Sequence, residues 1–315
     1  MFRTIGIMAV LAVLPVCALS CSRKARKVTI GVSNIGSESA WHVGFKKSVQ
    51  QEADRRGCDL RYQDAQVRQD NQVRAVRSFV NQKLDVIVLV PIVETGWDNV
   101  LQEARRAKIP VILVGRGIKV DQDGLYVTLI ASDFIEEGMR AGQWLAQKTG
   151  GKAKIVQLEG TAGAAAAIDR KKGFEQALAG HPEMKIIASQ CAEFTRAKGK
   201  EVMEAILKAQ ATEVSAVYAH NDDMALGAIQ ALQEAGRRPG QDVIVVSIDG
   251  VKAAFEEMVK GRLNATVECT PMMGPVLMDT IQKVLAGQAV PRYIKNDDRL
   301  FEQSQAAELI QTREY

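Results

Sequence analysis

Histidine is scarce in this chain, with three residues, His42, His181 and His220, among 315. None joins another in a His-Glu-x-x-His pattern, so the usual signature of a zinc hydrolase is missing. The five cysteines, at 17, 21, 58, 191 and 269, are irregularly spaced and match neither a disulfide framework nor a zinc site. Phosphate-binding loops are lacking too. Gly31-Val32-Ser33-Asn34-Ile35-Gly36 has no second glycine of a dinucleotide fingerprint, and Gly150-Gly151-Lys152-Ala153 has neither the spacing nor the hydroxyl of a Walker loop. No Gly-x-Ser-x-Gly nucleophile elbow occurs. Asp121-Gln122-Asp123-Gly124 opens like a calcium loop, but the remaining ligands do not follow, which leaves a solvated turn. No cofactor, metal or catalytic set is left on which to build an enzyme.

Charge of one sign is also in short supply. The 41 Lys and Arg against 37 Asp and Glu leave a net charge of +4, spread over both halves, and predict no nucleic-acid face. Several long apolar runs would mark a polytopic membrane protein, and they are absent. What is present is ordinary globular material, 47% apolar and 25% charged. At about 150 residues per domain, the length predicts two domains.

The first segment predicts export. Arg3 precedes an apolar block from Ile5 to Leu14, a break at Pro15 and a small-residue exit at Ala18-Leu19-Ser20-Cys21. That is the layout of a signal peptide over residues 1–20, too short to span a bilayer. Cys21 sits where a lipobox cysteine would receive its lipid, although Ala18 stands where leucine is usual and Arg23, Lys24, Arg26 and Lys27 follow at once. Two outcomes stay open: a lipid anchor on Cys21, the favoured one, or plain cleavage that leaves a free terminal thiol.

From Lys27 onward, short β-branched runs alternate with stretches of helical period. Val28–Val32, Val86–Val90, Val111–Val114, Val127–Ile130, Ile155–Leu158, Ile186–Ala188, Ala216–Ala219 and Val243–Val246 are nearly all apolar, as strands buried on both faces require. Between them, Trp41, Phe45, Val49 and Ala53 recur every fourth residue, and Met224, Ala228, Leu232 and Ala235 do the same. Gly57, Gly180 and Gly236 stand where helices should stop. The alternation predicts an α/β protein of two Rossmann-like lobes with parallel sheets; a (β/α)8 barrel is the competing fold. No Pro/Gly/Ser-rich linker separates the halves, so crossing strands should form a hinge.

Polar clusters fall where such sheets hold ligands, just beyond the carboxyl ends of strands. They include Ser33–His42, Gly115-Arg116, Glu159–Gly163, Ile168–Phe174, His220–Asp223 and Ile248–Gly250. Asp, Asn and Arg there can serve vicinal hydroxyls, while Trp41 and Phe194 can cover an apolar sugar face. Each has a plain structural role in competition. Trp41 could anchor its helix, Trp97 could pack, and Trp144 reads as core. Asn221 is a good helix cap, Asp249-Gly250 a simple turn, and His42 a surface cap.

With these residues in view, the sequence resembles the periplasmic sugar-binding proteins of ABC transporters, the ribose and galactofuranose type with a LacI-like core. The resemblance runs from about Lys27 to Lys295. It is carried by Gly36-Ser37-Glu38-Ser39, Arg77-Ser78-Phe79-Val80, Thr95-Gly96-Trp97, Ala167–Phe174, Phe194-Thr195-Arg196, Tyr218–Met224 and Ser247–Val251, and it is strongest to the galactofuranose-binding members. It implies a type I periplasmic-binding fold with a three-strand hinge near Ile130, Cys269 and Asp298. One lobe would hold 27–130 with 270–298, the other 131–269 with 299–315. It also implies sugar contacts at Ser37, Glu38, Trp41, His42, Arg116, Arg170, Phe194, Asn221, Asp249 and Cys269.

The implied protein is an extracytoplasmic, non-enzymatic monomer that captures a monosaccharide and delivers it to ABC permease subunits. A sensing role, with the closed form shown to a chemoreceptor or kinase, is the alternative. Galactofuranose-type members have Arg where this chain has His42 and Asp where it has Gly115, which points to a related but different sugar. Loss of both charges together predicts that the two positions face each other across the pocket.

Overall fold

The computed structural model describes residues 26–37, 39–210 and 213–315. Residues 1–20 and Cys21 lie outside the described residues, as does Glu38.

Two six-stranded sheets organise the chain. The first contains β1 (Thr29–Asn34), β2 (Asp59–Asp64), β3 (Val86–Leu89), β4 (Val111–Val114), β5 (Thr128–Ala131) and, from far downstream, β11 (Tyr293–Lys295). Its order is β11-β5-β4-β3-β1-β2, and every pairing is parallel. The second contains β6 (Lys152–Glu159), β7 (Glu183–Cys191), β8 (Ala216–Ala219), β9 (Ile244–Asp249), β10 (Ala265–Glu268) and β12 (Leu300–Glu302). Its order is β12-β10-β9-β8-β6-β7, parallel except where β12 runs against β10. A barrel is therefore excluded, and the two-lobed α/β expectation holds.

Helices α1 (Ala40–Arg55), α2 (Gln69–Asn81) and α3 (Asp98–Arg106) link strands of the first sheet. Helix α4 (Phe134–Thr149) leads from β5 into the second sheet, where α5 (Ala165–Leu178), α6 (Arg196–Gln210), α7 (Asp222–Glu234) and α8 (Lys252–Val259) follow in turn. Helix α9 (Gly274–Leu285) returns to pack on α1, and a single turn, α10 (Ala306–Leu309), lies near the end. The chain passes between the sheets three times: after β5, after β10 and between β11 and β12.

The eight apolar runs all mark strands, because central parallel strands are buried on both faces and admit little polarity. Val86–Leu89 and Val111–Val114 are buried throughout. Four strands escaped that signal. The edge strand β2 reads Asp-Leu-Arg-Tyr-Gln-Asp and is mostly open to solvent, so its polar residues cost nothing. Strands β10, β11 and β12 are three or four residues long and form only through partners distant in sequence.

Two close helix contacts set up the site. A Cβ at Gly138 would run into the Arg170 carbonyl, and one at Gly173 into that of Ile135, so glycine alone lets α4 and α5 approach so closely. That approach brings Glu137 on α4 against Arg170 on α5.

Candidate functional site

The carboxyl ends of both sheets face a shared cleft with ≈ 550 Å³ of free space, its mouth included. Helix α1 begins at Ala40 because the Ser39 hydroxyl caps it, accepting from the His42 backbone N–H at 3.4 Å. The cap aims Trp41 and His42 into the cleft. Trp41 serves both of its expected roles: its ring stacks on Phe45 with centroids 5.6 Å apart, and its Nε1 donates to the Cys269 carbonyl at 2.9 Å. Helix packing and a bond to the segment leaving β10 thus fix the ring at the cleft wall.

His42 is buried, and its Nδ1 lies 3.1 Å from Asn34 Oδ1. Burial, helped by the Arg116 guanidinium, pushes its pKa down to about 3. It is a neutral ring in the cleft wall, not a surface cap. Arg116 follows β4, donates to the Ile92 carbonyl at 3.3 Å and holds its guanidinium 5.0 Å from the centre of the Phe194 ring.

The second sheet supplies the opposite wall. Arg170 is 3% exposed and firmly anchored: Nε donates to Glu137 Oε2 at 2.7 Å and Nη1 to the His220 carbonyl at 2.5 Å. Its Nη2 stands 3.5 Å from Asp249 Oδ1, too far for a good hydrogen bond. Burial raises the Asp249 pKa well above the carboxylate range, against the pull of Arg170. Asp249 is no simple turn residue. Its φ of 129° is strained for a residue with a Cβ, and its carbonyl is held by the Cys269 N–H and the Tyr315 hydroxyl.

Beneath Arg170, burial pushes Glu137 up to about 7, with Arg170 opposing, and its Oε1 has no hydrogen-bond partner. Asn221 caps α7 by accepting from the Met224 N–H, while its Nδ2 donates to the Phe194 carbonyl. Phe194 itself has a φ of 60° and packs over Gly160.

The cleft therefore gathers Trp41, His42, Arg116, Arg170, Phe194, Asn221, Asp249 and Cys269 from the sequence-derived set. Ser37 departs from it. Its hydroxyl donates to Asp64 at 2.7 Å on an exposed rim, because the chain turns toward β2 before α1 begins. Sequence reasoning passed over Glu137, Phe134 and Glu193. Phe134 and Glu137 lie on the first turn of α4, at one side of the Arg170 guanidinium. Only the glycine pair at 138 and 173 could have signalled that approach.

Trp97 packs fully buried, with Nε1 on the Val93 carbonyl, and takes no part in the cleft. His42 and Gly115 do both line the cleft, but each lies at the carboxyl end of the first sheet. Trp41 stands over Gly115: a Cβ there would come within 3.0 Å of its Cη2. The pair thus does not span the cleft from opposite sheets. Among the described residues, no cluster suits a metal ion and no helix is long and apolar enough to cross a membrane.

Two sheets joined by three crossings, with a polar cleft at their carboxyl ends, define a ligand-binding protein of the periplasmic type. Residues 30–289 match the model of the periplasmic binding protein domain, and the chain belongs to that family. It is 46% identical over 277 residues to the galactofuranose-binding protein YtfQ of Escherichia coli K12, covering 87% of each chain. The arabinose ABC-transporter binding protein of Shewanella sp. ANA-3, solved with α- and β-L-arabinofuranose, superposes with a TM-score of 0.89 at 52% identity, over 91% of this chain and 95% of that one. A crystal structure of a galactofuranose-binding protein also gives 0.89, at 44% identity over 91% and 98%. These relatives are sugar-binding components of transport systems, not enzymes, and the family works outside the cytoplasmic membrane.

Proposed function

We propose that this protein captures a monosaccharide in its furanose form in the cleft and delivers it to an ABC permease. One observation carries the reading. Two guanidinium–acceptor pairs reach the cleft from opposite sheets, Arg116 with His42 and Arg170 with Asp249. Each pair suits a vicinal diol, in which one hydroxyl accepts from the guanidinium and its neighbour donates to the acceptor. Trp41 and Phe194 supply apolar surface beside them. The furanose form is favoured because one similar protein is solved with L-arabinofuranose bound and another is named for galactofuranose.

The sugar would touch Trp41, His42, Arg116, Arg170, Phe194, Asn221, Asp249 and the Cys269 segment, and would favour closure by binding both walls at once. The lobes are taken as 27–130 with 270–298 and 131–269 with 299–315. Export as a monomer anchored through a lipid on Cys21 completes the reading; mass spectrometry of the membrane-extracted protein tests the anchor.

Calorimetry against L-arabinose, D-galactose, D-fucose, D-ribose and myo-inositol tests the function. Tight binding of L-arabinose or D-galactose, through the minor furanose form each holds in water, is expected. Binding of inositol alone, or of no sugar, would defeat it.

A further inference from the structure

We propose that His42 is locked as a hydrogen-bond acceptor, its Nε2 taking the proton of a sugar hydroxyl, and that this polarity helps to decide which sugar the cleft accepts. The proposal rests on the sugar-binding reading above. The lock is read from a chain of bonds behind the ring. Asn34 Nδ2 stands 3.1 Å from the Gly36 carbonyl and 2.7 Å from the Tyr62 hydroxyl. A carbonyl can only accept, so the amide nitrogen must face Gly36 and the amide oxygen must face His42. That oxygen, 3.1 Å from Nδ1, also only accepts, so Nδ1 carries the hydrogen.

A neutral imidazole has one N–H, and Nε2 is left with its lone pair. Protonating Nε2 as well would create a buried cation beside Arg116, and burial with that neighbour holds the ring neutral. Nε2 has no partner among the described residues, and His42 lines the cleft. The surroundings fix what it can read. Arg116 is a donor with no acceptor capacity, and Gly115, close under the Trp41 ring, offers no side chain. Among the described residues on this side of the cleft, His42 is therefore placed to accept from a hydroxyl whose neighbour accepts from Arg116. An arginine at 42 would reverse the polarity and set two cations together.

Nitrogen-15 NMR of the full-length protein tests the lock, with the His42 signals assigned by their loss in His42→Gln. The expected pattern at neutral pH is a protonated Nδ1 and a bare Nε2, whose resonance moves when saturating L-arabinose or D-galactose is added. A protonated Nε2, or a bare Nε2 that ignores a sugar that binds, overturns the proposal. Affinities give a second readout. His42→Gln, whose amide oxygen can accept, should bind the same sugar within about threefold of wild type. His42→Arg should bind it about tenfold or more weakly, the effect of leaving a buried donor unpaired. His42→Met, without a polar group at that place, serves if the arginine variant does not fold. Equal binding by wild type and the arginine or methionine variant overturns the proposal while the sugar reading stands. A wild type that binds no sugar defeats that reading and this proposal with it.

Discussion

Asp223 on α7 accepts a hydrogen bond from the backbone N–H of Ala40 at 3.0 Å, joining the start of α1 beside the first sheet to a helix of the second. The carboxylate also meets the positive end of the α1 dipole, and Arg196 steadies it at 3.3 Å. A second link runs from the Glu94 N–H to the Gly163 carbonyl at 3.0 Å. Such contacts can form only when the two sheets stand close, so they select the closed arrangement.

Removing that carboxylate should therefore weaken sugar binding without touching the sugar. Asp223→Ala is expected to raise the Kd about 10- to 100-fold, since a hydrogen bond to a charged group contributes about 1.5–3 kcal/mol. Calorimetry reads the affinity, and small-angle scattering should show a larger unliganded radius of gyration. An unchanged Kd with unchanged scattering would show that the bond does not bias closure.

Arg170 is predicted to matter for both folding and binding. Arg170→Met leaves Glu137 and Asp249 without their shared buried cation, a loss of about 3–5 kcal/mol in comparable pairs. Urea unfolding should show a lower midpoint and calorimetry no measurable sugar binding. If the variant unfolds like wild type, the network is not the support inferred here.

Glu137 makes stability depend on pH in a stated direction. Its folded pKa is raised to about 7, chiefly by burial, so the folded state holds its proton more tightly than the unfolded chain does. Its contribution is thus fully present below the unfolded carboxylate range and is lost as pH rises through about 7. Unfolding free energy measured at pH 5 and pH 8 should fall more for wild type than for Glu137→Gln. Equal slopes would place the ionisation elsewhere.

Gly115→Asp should weaken binding when made alone. Its φ of +73° strains a side chain, and the new Cβ must push on Trp41, whose Nε1 holds the Cys269 carbonyl. A drop of about fivefold to thirtyfold in affinity is expected, in line with the one or two kcal/mol typical of such backbone strain. Adding His42→Arg should restore galactofuranose binding only if the two positions act as a pair; no recovery over either single change would end that idea.

Much of this was open to sequence reasoning, and for identifiable reasons. Central parallel strands must be apolar on both faces, so runs such as Val86–Val90 declare themselves locally, and the alternation with helices follows. Cleft-lining residues at strand ends, among them Arg116, Asn221 and Asp249, could be located because that topology places them there. The three-residue strands β11 and β12 could not, since their pairing is decided by residues more than thirty positions away. Nor could composition show that Ser37 bonds Asp64 on the rim rather than facing the cleft.

Tertiary contact also decided the chemistry of the site. A sequence names histidine but not its tautomer, and here Gly36, through Asn34, determines which nitrogen of His42 is bare. It names Glu137 but not its charge, which follows from burial beneath Arg170 once two glycines let the helices meet. Residue pattern sets which surfaces must be buried, because that depends on local polarity. Hydrogen-bond direction and ionisation depend on what lies across a contact, and only the folded chain supplies that neighbour.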